Sequence, residues 1–380
     1  MSSEDAIRAR VRRVIERSGR SQAAFARVIE LEPTKLSKAL AGTRRFTPLE
    51  LALIAEQGQT STDWLLHGSQ ERPSLAARAH DLDTIEATPR AYRRAEELDE
   101  VYDTLAAAGF AREAPRLPYV RSSGRMVDQG AALATRALDF VAASGARSDV
   151  VEDLPDTVER VFGTDVGIED LPGFDGLAWC RNGFRLLLIS NGTSWTRQRY
   201  TIAHELGHVL AGDAQDLRVD LDVMTPSAEH AQTEMRANAF AAAFLMPAGM
   251  ITSRWHGVDE SHFARLVGEL RVSPSALAWR LLNLGLVTTV QRAHLGSIAL
   301  WECAERGSWL DSYRALTRNQ SEIRRPGLLS REALRAFEDG SVSARVAARV
   351  LDILPETLLP TSPPHDEADG SVENDLTFAP

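Results

Sequence analysis

The residues best placed to do chemistry lie in the pentapeptide His204-Glu205-Leu206-Gly207-His208. Two histidines at i and i+4 sit about one turn apart on one helix face, so both imidazoles can reach a single tetrahedral Zn2+. Glu205 follows the first of them directly. From there its carboxylate can take a proton from a metal-bound water and return it to a leaving amine. Zinc lowers the pKa of such a water to about 7, which makes hydroxide available at neutral pH. The surrounding helix is amphipathic, with Ile202, Ala203, Leu206, Val209 and Leu210 supplying apolar contacts. Gly207 costs that helix roughly 1 kcal/mol relative to Ala, a cost a helix accepts more readily where something must approach closely.

A catalytic zinc takes three protein ligands and keeps a fourth position for water. Residues 213–225 contain no His, so the short downstream spacing of the metzincins is absent. A second helix starting near Glu229 offers carboxylates instead. Glu234 stands one turn before Asn238, with His230 one turn earlier on the same face. Glu229 is the competitor, and spacing favours Glu234 without deciding between them. His230, His256 and Arg197 are the candidates for stabilising an oxyanion, and the sequence does not choose among them.

These side chains need elements to hold them. Val166–Glu169, Leu177–Cys180 and Phe184–Ser190 are short strand-like runs separated by Pro-Gly, Asp-Gly and Asn-Gly pairs, and Asn182-Gly183 is a strong hairpin signal. The small sheet they predict leads straight into the helix TRQRYTIAHELGHVLAG, and HAQTEMRANAFAAAFLMP forms the next, closed by Pro247. Helical patterns also cover 75–112, about 127–144, 152–162 and 259–283, with two short helices around Asp339-Gly340 within 330–358.

The run Arg197–His208, then Glu234-Met235-Arg236-Ala237-Asn238-Ala239-Phe240-Ala241, then Leu245-Met246-Pro247, closely resembles the ImmA/IrrE metallopeptidase family. The likeness spans roughly residues 160–286. It implies a small sheet, a zinc helix and a second helix bearing a glutamate ligand, with His204, His208 and Glu234 as ligands, Glu205 as general base and Zn2+ as cofactor. Arg236 stands where members of that family often carry a second Glu, and Phe244 where Leu is usual. Neither departure touches an implied ligand.

The head of the chain has a different character. Residues 1–67 carry eleven Lys/Arg against eight Asp/Glu, a balance of +3 that leaves −13 on the remainder of a chain whose net charge is −10. A basic head on an acidic body suggests that the head alone meets phosphate. Helical patterns at 5–18, 21–30, 33–42, 47–57 and 61–68 make a compact five-helix unit, with Ser21 and Thr47 as N-caps. The unit resembles the Xre/lambda-repressor-like helix-turn-helix family over residues 5–67. That resemblance implies double-stranded DNA as a partner, often bound by a homodimer, and a phosphate contact from Gln22. The third helix would read the groove with Thr34, Lys35, Ser37 and Lys38, away from Leu36 and Leu40, and Arg44 and Arg45 would touch the backbone. Glu30 and Glu32 nearby oppose phosphate.

No apolar run of about 18 residues appears, so no membrane partner is expected. Residues 1–20 lack the apolar core of a secretory signal. Cys180 and Cys303 are too isolated for a disulfide framework, and both are expected to be buried thiols in a reducing cytoplasm. The expected fold is mostly α (α+β), in five segments. These are a helix-turn-helix domain at 1–67, a helical connector at 75–158, a zincin-like peptidase domain at 159–290, a helical C-terminal region at 291–360 and an acidic disordered tail at 361–380. The expected activity is zinc-dependent endopeptidase action on a protein substrate, a helix-turn-helix repressor by resemblance. The alternative is a non-catalytic regulator that uses the peptidase fold to sense zinc or a ligand.

Overall fold

The computed structural model describes residues 3–18, 20–29, 31–57, 65, 74–78, 84–118, 124–145, 150–213 and 228–359. The expected fifth helix of the head, apart from Leu65, lies outside these residues, as do the linker at 68–73 and the acidic tail. The chain divides into two compact units, Met1–Arg72 and Pro73–Pro380.

In the first unit, helices α1 (Ser3–Arg17), α2 (Gln22–Val28), α3 (Pro33–Leu40) and α4 (Pro48–Gln57) surround a core that includes Val11, Phe25, Ile29, Leu36, Leu51, Ile54 and Leu65. The sequence signals for the caps are realised. Ser21 Oγ accepts from the Ala24 N–H at 3.2 Å. Thr47 and Glu50 form a reciprocal capping box, each side chain accepting the other's backbone N–H.

The second unit is built on a four-stranded sheet of order β1-β3-β4-β2, with β1 (Ser74–Arg78), β2 (Asp165–Glu169), β3 (Gly176–Arg181) and β4 (Phe184–Ser190). The β1–β3 and β3–β4 pairs are antiparallel and β2–β4 is parallel. All of β1 after Ser74 falls within the stretch 75–112 whose pattern reads as helix, and the structure corrects that: the segment pairs residue by residue with β3 as an added strand. Non-local pairing here overrides a helical composition. The β3–β4 turn has positive φ at both Asn182 and Gly183, the requirement of a type I′ hairpin.

The alternation along β3 and β4 splits their side chains between two cores. Ala178, Leu187 and Ile189 join one core with Ile202, Leu206 and Phe240. Leu177, Trp179, Phe184, Leu186 and Leu188 join the other, with helix α5 (Thr84–Ala107) and the late helices α16 (Gly327–Glu338) and α17 (Ala344–Leu351). The sheet is therefore buried on both faces, which explains the uninterrupted Leu186–Ile189 run. The first core also takes in α6 (Met126–Ala143), α7 (Leu154–Phe162), α8 (Trp195–Ala211), α9 (Ala228–Leu245), α11 (Glu260–Leu270) and α12 (Pro274–Asn283). Between α9 and α11 lies the short α10 (Ala248–Arg254), and α13 (Thr289–Ser297), α14 (Leu300–Arg306) and α15 (Leu310–Asn319) follow. The molecule is thus mostly helical with a small mixed sheet. No helix among the described residues is long and apolar enough to cross a membrane.

Candidate metal centre

Helix α8 lies against β3 and β4, and α9 crosses it. Two glycines permit this closeness. A Cβ on Gly176 would come within 2.5 Å of Thr201 Cγ2, and one on Gly207 within 3.0 Å of the Phe240 ring. Ser194 caps the start of α8, accepting from the Arg197 N–H, and Gly212 ends it in the left-handed conformation. The helix that the sequence marks as catalytic is buried almost along its whole length, with His204, Glu205 and His208 fully enclosed.

Here α9 brings the third group. Glu234 Oε2 is 3.4 Å from His204 Nε2, Glu234 Oε1 is 3.2 Å from His208 Nε2, and the two imidazole nitrogens are 3.1 Å apart. A tetrahedral ion with bonds of about 2.0–2.2 Å needs ligand atoms about 3.3 Å from one another. The three donors fit that triangle, and among the described residues they form the one His/Cys/Asp/Glu group gathered closely enough to hold a metal ion. The electrostatics agree. Burial alone would lower the His208 imidazole, but Asp213, Glu234 and Glu205 outweigh it and raise it to about 9. Burial would likewise raise the Glu234 carboxyl, yet the two imidazoles hold it well below the usual carboxylate range. A positive charge is favoured at this point, whether proton or metal ion.

An open cleft of about 1240 Å³ reaches the cluster, lined by Arg197, Tyr200, Glu234, Met235, Asn238 and Trp279 among others. Tyr200, one turn before His204, donates its hydroxyl to Asn238 Oδ1 at 3.0 Å and so ties α8 to α9. Of the three oxyanion candidates, Arg197 lines this cleft with one guanidinium nitrogen bound to Asp175 at 2.7 Å. His256 is exposed and stacks on His262 away from the cleft lining. The side chains of His230 and of Glu229, the rival ligand, lie outside the described residues. Sequence reasoning missed Asp213 and Tyr200. Tyr200 was legible as the i−4 neighbour of His204, whereas Asp213 reaches His208 only through the reversal at Gly212.

In the first unit Gln22, Lys35, Ser37, Lys38 and Arg45 are exposed. Thr34 is exposed too, and its hydroxyl donates to Glu32 at 2.6 Å. Arg44 is committed internally: its guanidinium binds Glu50 through both terminal nitrogens and the Lys35 carbonyl through Nε. Burial would raise the Glu50 carboxyl, but Arg44 and the Thr47 N–H hold it below its ordinary value. Both cysteines are free thiols. Burial pushes Cys180 up to about 12 and Cys303 up to about 11, which leaves neither a ready nucleophile.

No curated protein matches the chain. Residues 159–282, which contain the β2–β4 strands, α8, Glu234 and the cleft's far wall at α12, match the family model of the M78 peptidases, described as the IrrE N-terminal-like domain.

Proposed function

We propose that this chain is a DNA-binding regulator with zinc-dependent endopeptidase activity, which cleaves a specific helix-turn-helix repressor and so controls gene expression in the cytoplasm. The observation that carries it is the convergence of His204, His208 and Glu234 on one point beside the buried Glu205. Two imidazoles and one carboxylate are the donor set of a catalytic zinc site, which supplies Lewis acidity and a water acidic enough to ionise near pH 7.

His204 and His208 reach the site from adjacent turns of α8, so the backbone of one rigid helix sets their separation. Glu234 closes the triangle from α9, and the hydroxyl of Tyr200 keeps the two helices in register through Asn238. Glu205 would accept the proton of the attacking water and deliver it to the leaving amide nitrogen. The open cleft beside Glu234 is where an extended stretch of polypeptide would lie. For the first unit, the exposed Gln22, Lys35, Ser37 and Lys38 would meet duplex DNA, and Arg44 would shape the turn after α3 rather than reach for phosphate. A homodimer would place two such units on paired half-sites.

Metal content tests this first. Full-length wild type, purified without chelator, is expected to carry about one zinc per chain, and His204→Ala and Glu234→Ala to carry none. Metal-free wild type that cannot be reloaded with zinc would overturn the peptidase proposal. A DNA-binding regulator with a borrowed fold would then remain.

A further inference from the structure

We propose that Asp213 is a positioning residue for the metal ligand His208, and that Arg236 is the latch that holds Asp213 in place. This rests on the metal centre proposed above, and goes beyond its ligand set.

The chain geometry makes the contact. Helix α8 stops at Ala211, and Gly212 takes φ 77° and ψ 8°, with its N–H turned back to the His208 and Val209 carbonyls. An L side chain at that position would be strained, so glycine is what permits the reversal. The next residue, Asp213, consequently lies back against the last turn of α8. Its Oδ2 is 3.5 Å from His208 Nδ1, while His208 Nε2 faces Glu234 from the other side of the ring. Both His208 and Asp213 are buried.

Asp213 is itself held. Its other oxygen, Oδ1, pairs with Arg236, and Arg236 also donates to Gln129 Oε1 on α6 at 3.3 Å. Arg236 stands two residues after Glu234 on α9. One short stretch of α9 therefore carries a metal-directed carboxylate and the guanidinium that fixes the partner of a second ligand. A planar guanidinium suits this, because it can grip a carboxylate and an amide oxygen at once. The two oxygens of Asp213 are thus divided, one toward the cation and one toward the imidazole. A ligating histidine whose distal nitrogen faces a fixed carboxylate is locked in one tautomer and one ring orientation, with its proximal nitrogen presented to the metal.

The test is zinc affinity of the full-length chain, measured by competition with a chromophoric chelator, beside the melting temperature of the same proteins stripped of metal. Asp213→Asn keeps the shape and is expected to bind zinc about tenfold to a hundredfold more weakly, as outer-sphere partners of ligating histidines typically do. Arg236→Met should weaken binding in the same direction and by less. Asp213→Asn and Arg236→Met break the same buried ion pair, so the metal-free melting temperature should fall by a similar amount in both. Wild-type affinity in both variants would overturn the proposal, and so would an equal loss of affinity in the two, which marks a plain structural pair. Wild type that fails to bind zinc would overturn the metal centre itself, and is told apart by needing no variant.

Discussion

Two of the places where the second unit encloses acidic groups resolve them in opposite ways. Beside β2, Glu159 and Asp165 are almost fully enclosed, and each is met by a guanidinium: Glu159 by Arg324 through two bonds of 2.8 Å, Asp165 by Arg112 at 2.5 Å. Backbone N–H groups fill the remaining lone pairs, with Val166 and Gly327 donating to Glu159 and Leu328 and Leu329 to Asp165. At α8 and α9, Glu234 instead meets two imidazoles. Arginine keeps its proton in any protein, so the β2 pairs are closed. Imidazole exchanges a proton for a metal ion, so the second cluster can take a third party. A buried carboxylate facing arginine fastens, and a half-buried one facing histidines can bind.

The difference assigns roles to the flanks. Arg112 comes from the stretch after α5, and Arg324 lies just before α16. Both segments are far in sequence from α8, and their charges fasten the sheet it packs on. Arg324 also forms a backbone bridge with Ile168 on β2. The late helices and the early ones thus meet on the sheet face opposite α8.

The largest effect that would sharpen this contrast is catalytic. Glu205→Gln should lower turnover of any peptide that the wild type cleaves by about a hundredfold to ten-thousandfold, the usual contribution of a positioned general base. Zinc content and melting temperature should match wild type, because Glu205 is outside the ligand triangle. Cleavage at wild-type rate would remove the proposed base.

Next in size is the fastener. Arg324→Ala leaves Glu159 buried with one carboxylate and no guanidinium, which should cost about 3–5 kcal/mol in urea unfolding of the full chain. Zinc per folded chain should not change. If the variant lost metal as readily as it lost stability, the two acidic systems would be one, and the contrast would collapse.

How far the sequence reached follows from the same physics. The β2–β4 strands, the Asn182-Gly183 turn, α8 and α9 were legible within one or two residues, because local periodicity and turn chemistry specify them. His204 and His208 were legible because one helix sets their spacing. Glu234 was favoured by spacing but separated from Glu229 only by resemblance, since the angle between two helices is not written in either. The strand residues after Ser74 were misread as helix because a strand added at an edge takes its conformation from its partner. Asp213, Arg112 and Arg324 were invisible for a related reason: each matters through a contact that only folding makes. Arg44 shows the converse, a basic side chain whose exposed-looking position in the sequence hid a partner six residues on, at Glu50.

The smallest effect tests whether the open cluster depends on the distance between its two helices. Gly207 sits between the ligands, and a Cβ there would lie 3.0 Å from Phe240 Cδ1 and 3.4 Å from Ala237 Cα. Alanine asks for a shift of a few tenths of an ångström and gains about 1 kcal/mol of helix propensity, so Gly207→Ala should be near neutral. Valine adds two methyl groups against a fully buried ring, and overpacking of that kind costs about 1–3 kcal/mol. Moving α9 away from α8 relieves the strain and draws Glu234 off the imidazoles. Gly207→Val should therefore lose zinc affinity along with stability, measured by chelator competition and urea unfolding on one preparation. Arg324→Ala, with its larger stability loss, should not lose affinity. A valine variant that is destabilised yet binds zinc like wild type would show that the donors hold their triangle without the close approach, and that Gly207 serves packing alone.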